Sequence, residues 1–387
     1  MAARVPTETR RVVLEDIARQ VGVSRSTASR ALADADDARI SLATRTLVKK
    51  VAGDLHYVPN AAARSLRVRR TCTFGLLLAD LSDPVHGQVA SGFEQEAGEG
   101  GYRVIIVAGL NDPVRERRAL KIFTEYGADG VAIVSSVIAP SEAQARVQPD
   151  RLVVVQPDHR SLSSRHGPLP PGVIRTDDAS GVQAAVEHLT LNGYRNIAYV
   201  ESGVRGSNSV RREAVQRALR AQGIDQPLRR FPAPDDAWRT PDELARRIAA
   251  DLPEALVCYD DKLALALMDA LRDLGIRAPE EVGIVGFDGI PFAAISNPRL
   301  TTVATPSGEL GRIAASSLIA AIQTGNPPPA ALLPVELVVR ESTRTTVSHV
   351  SEGPVSCRSR SRRSSSSPRP SATGTPSLSP AIRGCRL

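Results

Sequence analysis

The sequence predicts an all-α helix-turn-helix headpiece joined to an α/β core of two lobes, with parallel sheets flanked by helices and a disordered C-terminal tail. Three observations carry this prediction: helical periodicity interrupted by a glycine over residues 14–32, apolar bursts alternating with amphipathic stretches from Thr73 to about Arg340, and a Ser/Arg/Pro-rich end. The 387 residues allow two or three folding units. Hydrophobic residues at 42% and charged residues at 24% place the chain among soluble globular proteins. No run approaches the roughly 20 apolar residues that a membrane span needs, and the N-terminus lacks the apolar core of a secretory signal. Cys72, Cys258, Cys357 and Cys385 show neither metal-ligand spacing nor a disulfide framework. The expectation is a cytoplasmic protein with reduced thiols, no membrane partner and no bound metal.

Charge is unevenly spread. Residues 1–70 carry 14 Lys/Arg against 7 Asp/Glu, and residues 351–387 carry 7 Arg against Glu352 alone. The stretch between holds 28 basic and 34 acidic residues. A basic head on an acidic body is the footprint of an anion-binding, especially nucleic-acid-binding, N-terminal module.

Residues 10–58 form that module. In LEDIARQVGVSRSTASRAL (Leu14–Leu32), Ile17, Val21, Val23 and Ala31 are spaced to pack two short helices, and Ala18 permits their close approach. Gly22 supplies the turn, where positive φ is cheap. Ser24 is predicted as N-cap, putting Arg25, Ser26, Ser29 and Arg30 at the start and outer face of the second helix. That face is where a recognition helix presents side chains to base edges in the major groove. A third helix, Thr44–Leu55, is expected across the pair, with Arg45, Lys49 and Lys50 near phosphates or simply solvated.

In the core the apolar bursts are Phe74–Ala79, Val104–Ala108, Val131–Ser135, Leu152–Gln156, Ile197–Val200, Ala255–Tyr259 and Val282–Phe287. Runs of this length are what parallel strands covered on both faces look like. Helical stretches lie between them (Pro84–Gly100, Arg115–Tyr126, Ala179–Asn192, Arg211–Gln222, Lys262–Leu274), several ending at a glycine suited to a left-handed cap: Gly100, Gly127, Gly193, Gly223 and Gly275. There are more units than one sheet wants, so two lobes are expected, first crossing at Gly167–Gly172. Ligands of such folds sit between the lobes at the carboxyl ends of strands. The candidates are therefore Asp80, Ser82, Asp83 and His86, then Asp158 and His159, Asp177 and Asp178, Asp260 and Asp261, and Asp288, with Arg211 opening a helix. Trp238, the single tryptophan, and Phe287 are candidates to stack on a ligand ring, although a core role suits Trp238 as well, and any strand-end Asp is equally an N-cap.

The order LEDIARQVGVSRSTASRAL, HYVPNAAARSL and FGLLLADLSDP resembles the lactose-repressor (LacI/GalR) family of bacterial transcription regulators, from about Val12 to Thr345. The resemblance implies a periplasmic-binding-protein-like core. It places Arg25 and Ser26 at specificity positions and Thr27, Ser29 and Arg30 at further base and phosphate contacts. It makes Asn60–Leu66, with Ala63 on its thin side, a hinge helix entering the minor groove, and Leu66 a wedge that opens a base step. It matches Arg211, Asp260 and Asp288 to effector-contacting positions. On this pattern the chain divides into a headpiece (10–58), a hinge (59–71), a core (72–345) and a tail (346–387). The first lobe takes about 72–170 and 304–332, the second about 171–303 and 333–345. The implied partners are double-stranded palindromic operator DNA, a small-molecule effector of the sugar class and a second copy of the chain, with helices Pro84–Gly100 and Val114–Gly127 as dimer faces. The chain departs from the family at Val85, His86 and Ala28, at Asp260, where Asn is commoner, and at Gly289, where a second Asp is usual. The acidic turn ADADDAR is also longer than the family's.

No phosphate loop, dinucleotide fingerprint, nucleophile elbow or HExxH is present, so neither a cofactor nor a catalytic residue is expected. The alternative is a solute-binding protein or a cleft enzyme with the same core. The first has no use for a basic helix-turn-helix. The second needs paired carboxylates, such as Asp83, Asp158 and Asp288, at a separation the sequence does not give.

Overall fold

The computed structural model describes residues 12–32, 39–57, 70–156, 169–203, 208–234 and 236–344. The headpiece is three helices, α1 (Leu14–Val21), α2 (Arg25–Ala31) and α3 (Leu42–Asp54). Ile17, Ala18, Ala28, Ala31, Val48 and Val51 make its core. Gly22 ends α1 with φ of 75°, and Ser24 caps α2 by accepting from the Thr27 amide at 3.1 Å, both as the pattern predicts. The third helix starts two residues earlier than expected because the Ser41 hydroxyl accepts from the Thr44 amide at 3.2 Å and caps it.

The first lobe contains β1 (Thr73–Leu78), α4 (Pro84–Glu99), β2 (Arg103–Ala108), α5 (Pro113–Glu125), β3 (Gly130–Val134), α6 (Pro140–Gln144), β4 (Leu152–Val155) and β5 (Val173–Thr176). The chain then builds the second lobe from α7 (Asp178–Leu191), β6 (Ile197–Glu201), α8 (Asn208–Ala221), β7 (Arg229–Pro232), α9 (Asp242–Ala250), β8 (Ala255–Cys258), α10 (Asp261–Asp273), β9 (Gly283–Asp288) and β10 (Thr301–Ala304). It returns to the first lobe for α11 (Ser307–Thr324) and β11 (Ala331–Leu333), and ends in the second at β12 (Glu336–Val338). The two six-stranded sheets run β11-β5-β4-β3-β1-β2 and β12-β10-β9-β8-β6-β7, parallel except for β12.

Two expectations need correcting. The first crossing does not fall at Gly167–Gly172, because β5 pairs with β4 inside the first sheet and the chain leaves only after Thr176. Likewise β10 pairs with β9, so the second crossing follows Ala304, and β11 carries the first lobe to Leu333. Among the expected glycine caps, Gly100 has an ordinary right-handed φ of −75°, and Gly101 takes the positive angle of 79° instead.

The first lobe closes around α4 and α11. At Gly92 a Cβ would lie 1.9 Å from the Gly308 carbonyl oxygen, and at Gly311 it would lie 2.0 Å from that of Val89. The two helices therefore touch backbone to backbone, with Val89, Phe93 and Ala97 packed on Leu310, Ala314 and Leu318. The apolar side of α4 is thus consumed inside the lobe. Among the described residues no helix is long and apolar enough to cross a membrane.

Candidate nucleic-acid interface and effector cleft

Sequence places the headpiece's polar residues on the first turns of α2, and the structure separates them by role. Arg25 and Ser26 are exposed. Thr27 is half-buried, its hydroxyl 2.8 Å from that of Ser24 and its amide bonded to the same cap. Arg30 reaches back one turn, its Nε donating to the Ser26 carbonyl at 3.2 Å, and Ser29 is half-buried beside it. The N-terminus of α2 thus offers one guanidinium and one hydroxyl outward while the cap pins the backbone behind them. Ala28 is fully buried against the neighbouring helices, so the small residue there is a packing choice. Asn60, Ala63 and Leu66 lie outside the described residues, as does Asp158.

The core's polar cluster assembles at the strand ends that face the space between the lobes. Arg211, on the first turns of α8, is 4% exposed, a burial that a guanidinium tolerates only when its donors are met. Its Nε donates to Asp178 Oδ2 at 2.8 Å, Nη1 to the Tyr259 carbonyl at 2.5 Å, and Nη2 to Asp288 Oδ1 at 3.3 Å. Its plane lies 3.5 Å over the Phe287 ring centroid. Burial works against its charge, but Asp178 and Asp288 outweigh burial and hold its pKa above the usual arginine value. Burial pushes the Asp288 carboxyl well above the ordinary range, Arg211 opposes this, and the neighbouring Asp260 and Asp261 add to it. Asp288 itself has φ of 106°, a strained angle that ends β9 abruptly and turns its carboxylate to Arg211. Gly289 follows at φ of 71°, and a Cβ there would sit 2.8 Å from Ala304 Cα. A side chain at 289 has no room, which accounts for the missing second aspartate.

A second group lies at the mouth. Asp83 caps α4, Oδ1 accepting from the Val85 amide at 2.9 Å, while Oδ2 accepts from the Lys262 ammonium. Asp260 caps α10 by accepting from the Leu263 amide at 2.8 Å, with Oδ2 3.9 Å from the same ammonium. Behind it, Asp261 is fully buried, accepting from Thr302 Oγ1 at 2.6 Å and the Ile290 amide at 2.8 Å. Burial pushes its pKa up to about 7, the two hydrogen bonds resist, and Asp260 adds to the rise. Trp238 is half-buried, with the Arg239 guanidinium 4.2 Å from its ring centroid and Lys262 Nζ at 5.7 Å.

Arg211, Asp260, Asp288 and Asp83 are therefore brought to one region, and Trp238 edges it. Two candidates change role. His86 is buried, its Nδ1–H donating to the Asp80 carbonyl at 2.8 Å, so it braces the turn after β1. Phe287 is 1% exposed and belongs to the second lobe's core, because β9 turns that face inward; it supports Arg211 from below. Asp178, one of the candidate acids, is the partner of Arg211, whereas nothing in the sequence singled out Lys262 as a binding residue. A charged residue at a helix start is no signal by itself, since an N-terminal turn favours or tolerates one in any case.

A surface groove of about 490 Å³ lies elsewhere, on the outside of the first lobe between Arg117, Arg118, Leu120, Lys121, Thr124 and Arg146. Arg117 and Arg146 both bind Glu142, at 2.6 and 3.3 Å, so much of its charge is already met.

Residues 13–60 match the family described as bacterial regulatory proteins, lacI family, and residues 186–343 match a periplasmic binding protein-like domain. The HTH-type transcriptional regulator GalR of Escherichia coli (strain K12) is 30% identical over 299 residues, covering 76% of this chain and 84% of GalR. The HTH-type transcriptional regulator DegA of Bacillus subtilis (strain 168) is 29% identical over 343 residues, covering 86% of this chain and 98% of DegA. The lac repressor dimer bound to operator and the anti-inducer ONPF has the same fold, with a TM-score of 0.77 at 22% identity over 87% of this chain and 100% of that one. The complex of the transcriptional regulator CelR with cellobiose gives a TM-score of 0.61 at 25% identity, over 86% and 100% of the two chains. The headpiece, the paired parallel sheets and these likenesses lead to one conclusion: the chain belongs to the lacI family of bacterial regulatory proteins and is a DNA-binding transcription regulator.

Proposed function

We infer that the protein is a homodimeric repressor whose two headpieces read a palindromic operator, and whose grip on it is set by a small polyhydroxylated molecule, of the sugar class, between the lobes. The observation that carries the effector half is the Arg211 cluster. A guanidinium fixed by Asp178 and Asp288 at the strand ends presents paired donors and acceptors, and vicinal hydroxyls bind such pairs well. CelR, a transcriptional regulator of similar fold, forms a complex with cellobiose, which favours the same ligand class here. Arg25 and Ser26 are assigned to base edges, and Ser24, Thr27, Ser29 and Arg30 to the cap and phosphate side of α2. Asn60, Ala63 and Leu66 are assigned to the hinge in the minor groove, and Asp158 to the first lobe's side of the cleft.

An effector alters operator affinity only by binding the two arrangements of the lobes unequally. Two recognition helices on a two-fold axis match a palindrome, which is the reason for the dimer. The test is selection of duplexes from a random pool by the full chain, followed by gel-shift titration of the winners with a panel of mono- and disaccharides. Operator affinity that falls steeply with salt and changes with one saccharide is expected. No preference over random competitor would overturn the DNA half, and indifference to every small molecule would overturn the effector half.

A further inference from the structure

We propose that Lys262 is a clasp between the lobes: its ammonium, held by Asp260 at its own helix start, binds Asp83 on the opposite lobe and keeps the cleft shut independently of any ligand. Asp83 and Lys262 are 179 positions apart and lie on helices packed against different sheets, so their bond crosses the cleft. Neither carboxylate is free to wander. Asp83 spends Oδ1 on the Val85 amide and Asp260 spends Oδ1 on the Leu263 amide, which leaves one oxygen of each aimed at the ammonium. The three side chains are 15%, 14% and 20% exposed, for Asp83, Asp260 and Lys262, so the pair is stronger than a surface one while salt still reaches and weakens it.

A lysine in the first turn of α10 also opposes the helix dipole, a placement that makes sense only with carboxylates to offset it. Trp238 covers one side of the ammonium. Arg211, by contrast, takes its partners Asp178, Asp288 and Tyr259 from elements of the second lobe and the crossing into it, so the clasp and the Arg211 cluster are separable. Any molecule entering the mouth meets a bond already made and must exchange it for its own.

This inference leans on the effector reading only for that consequence, because its test uses neither DNA nor a saccharide. Trp238 is the only tryptophan of the chain and sits beside Lys262, whereas Asp83 belongs to the facing lobe. Acrylamide quenching of Trp238 is measured in the full chain at low and high salt, for wild type, D83N and D260N, with a thermal melt of each as the check on folding. Asparagine keeps the cap at 83 and removes only the charge. D83N is expected to raise the open population by about tenfold, the ratio maintained by roughly 1.4 kcal/mol, and to abolish the salt dependence of quenching seen in wild type. D260N, which leaves the crossing bond in place, is expected to change quenching far less. Quenching of D83N equal to wild type at both salts, or D260N as open as D83N, would overturn the clasp. If D83N melts early, wild type alone still decides: quenching indifferent to salt rejects the proposal.

Discussion

The headpiece and the core handle charge in opposite ways. Among the described residues of the headpiece no charged side chain is buried, and Arg25, Lys49 and Lys50 stand in solvent on helices whose interior is wholly apolar. The core instead closes Arg211, Asp178 and Asp261 away from water and satisfies them internally. Exposed cations cost nothing to leave unmet and are available to a polyanion. Buried ones are expensive to leave unmet, so they hold their neighbours in one arrangement until something replaces them. One half of the molecule is ready to accept a partner; the other must be rearranged by one.

The strongest way to break this contrast is Arg211→Ala. It leaves Asp178 and Asp288 buried without their cation, and loss of about 3–5 kcal/mol is expected in the core's denaturant transition. Near-normal stability would mean that the cluster is wetter than it looks. A pH titration comes next. The Asp261 carboxyl rises to about 7 in the folded chain from an ordinary value near 4, so the native state holds the proton and the unfolded state does not across that window. Stability is greatest at the acid end and is expected to fall by about 1.4 kcal/mol per pH unit toward pH 7 from this group alone. In Asp261→Asn that slope should flatten, a result that melts recorded at stepped pH would read directly.

The headpiece should respond differently. Arg25→Ala is expected to shift preference at one operator position by about 1–3 kcal/mol while leaving the core's melt untouched; a change in stability without a change in preference would assign Arg25 to the fold. Ser24→Ala removes the cap of α2 and should cost about 1 kcal/mol of headpiece stability. Hydrogen exchange of the Thr27 amide would reveal it, and unchanged protection would show that the cap is dispensable.

Local features were legible in the sequence. Gly22 and Ser24 act within four residues of themselves, so their turn and cap could be read directly. Buried strands such as Phe74–Leu78 announced themselves by unbroken apolar runs. β5 did not, because Val173–Thr176 is a short strand carrying Arg175 straight after a proline-rich stretch, and the lobe crossing was therefore placed one strand early. The cleft was only half visible. Asp83 and Asp288 could be named as strand-end acids, but their partners Lys262 and Arg211 lie 179 and 77 positions away in the sequence. The inward turn of Phe287 depends on register that composition does not carry.

The return of the chain to its first lobe at α11 and β11 has a consequence for biogenesis. Leu310, Ala314, Leu318 and Leu333 fill the interior into which Phe74, Val89 and Phe93 point. As synthesis proceeds from the N-terminus, those apolar residues emerge long before the helix that covers them. The second lobe, whose clusters draw mainly on residues between Val182 and Val303, is nearly complete by then. The later half of the polypeptide can thus mature ahead of the earlier half, and a product cut short just after Ala304 would carry a second lobe lacking β12 beside a sticky, uncapped first one.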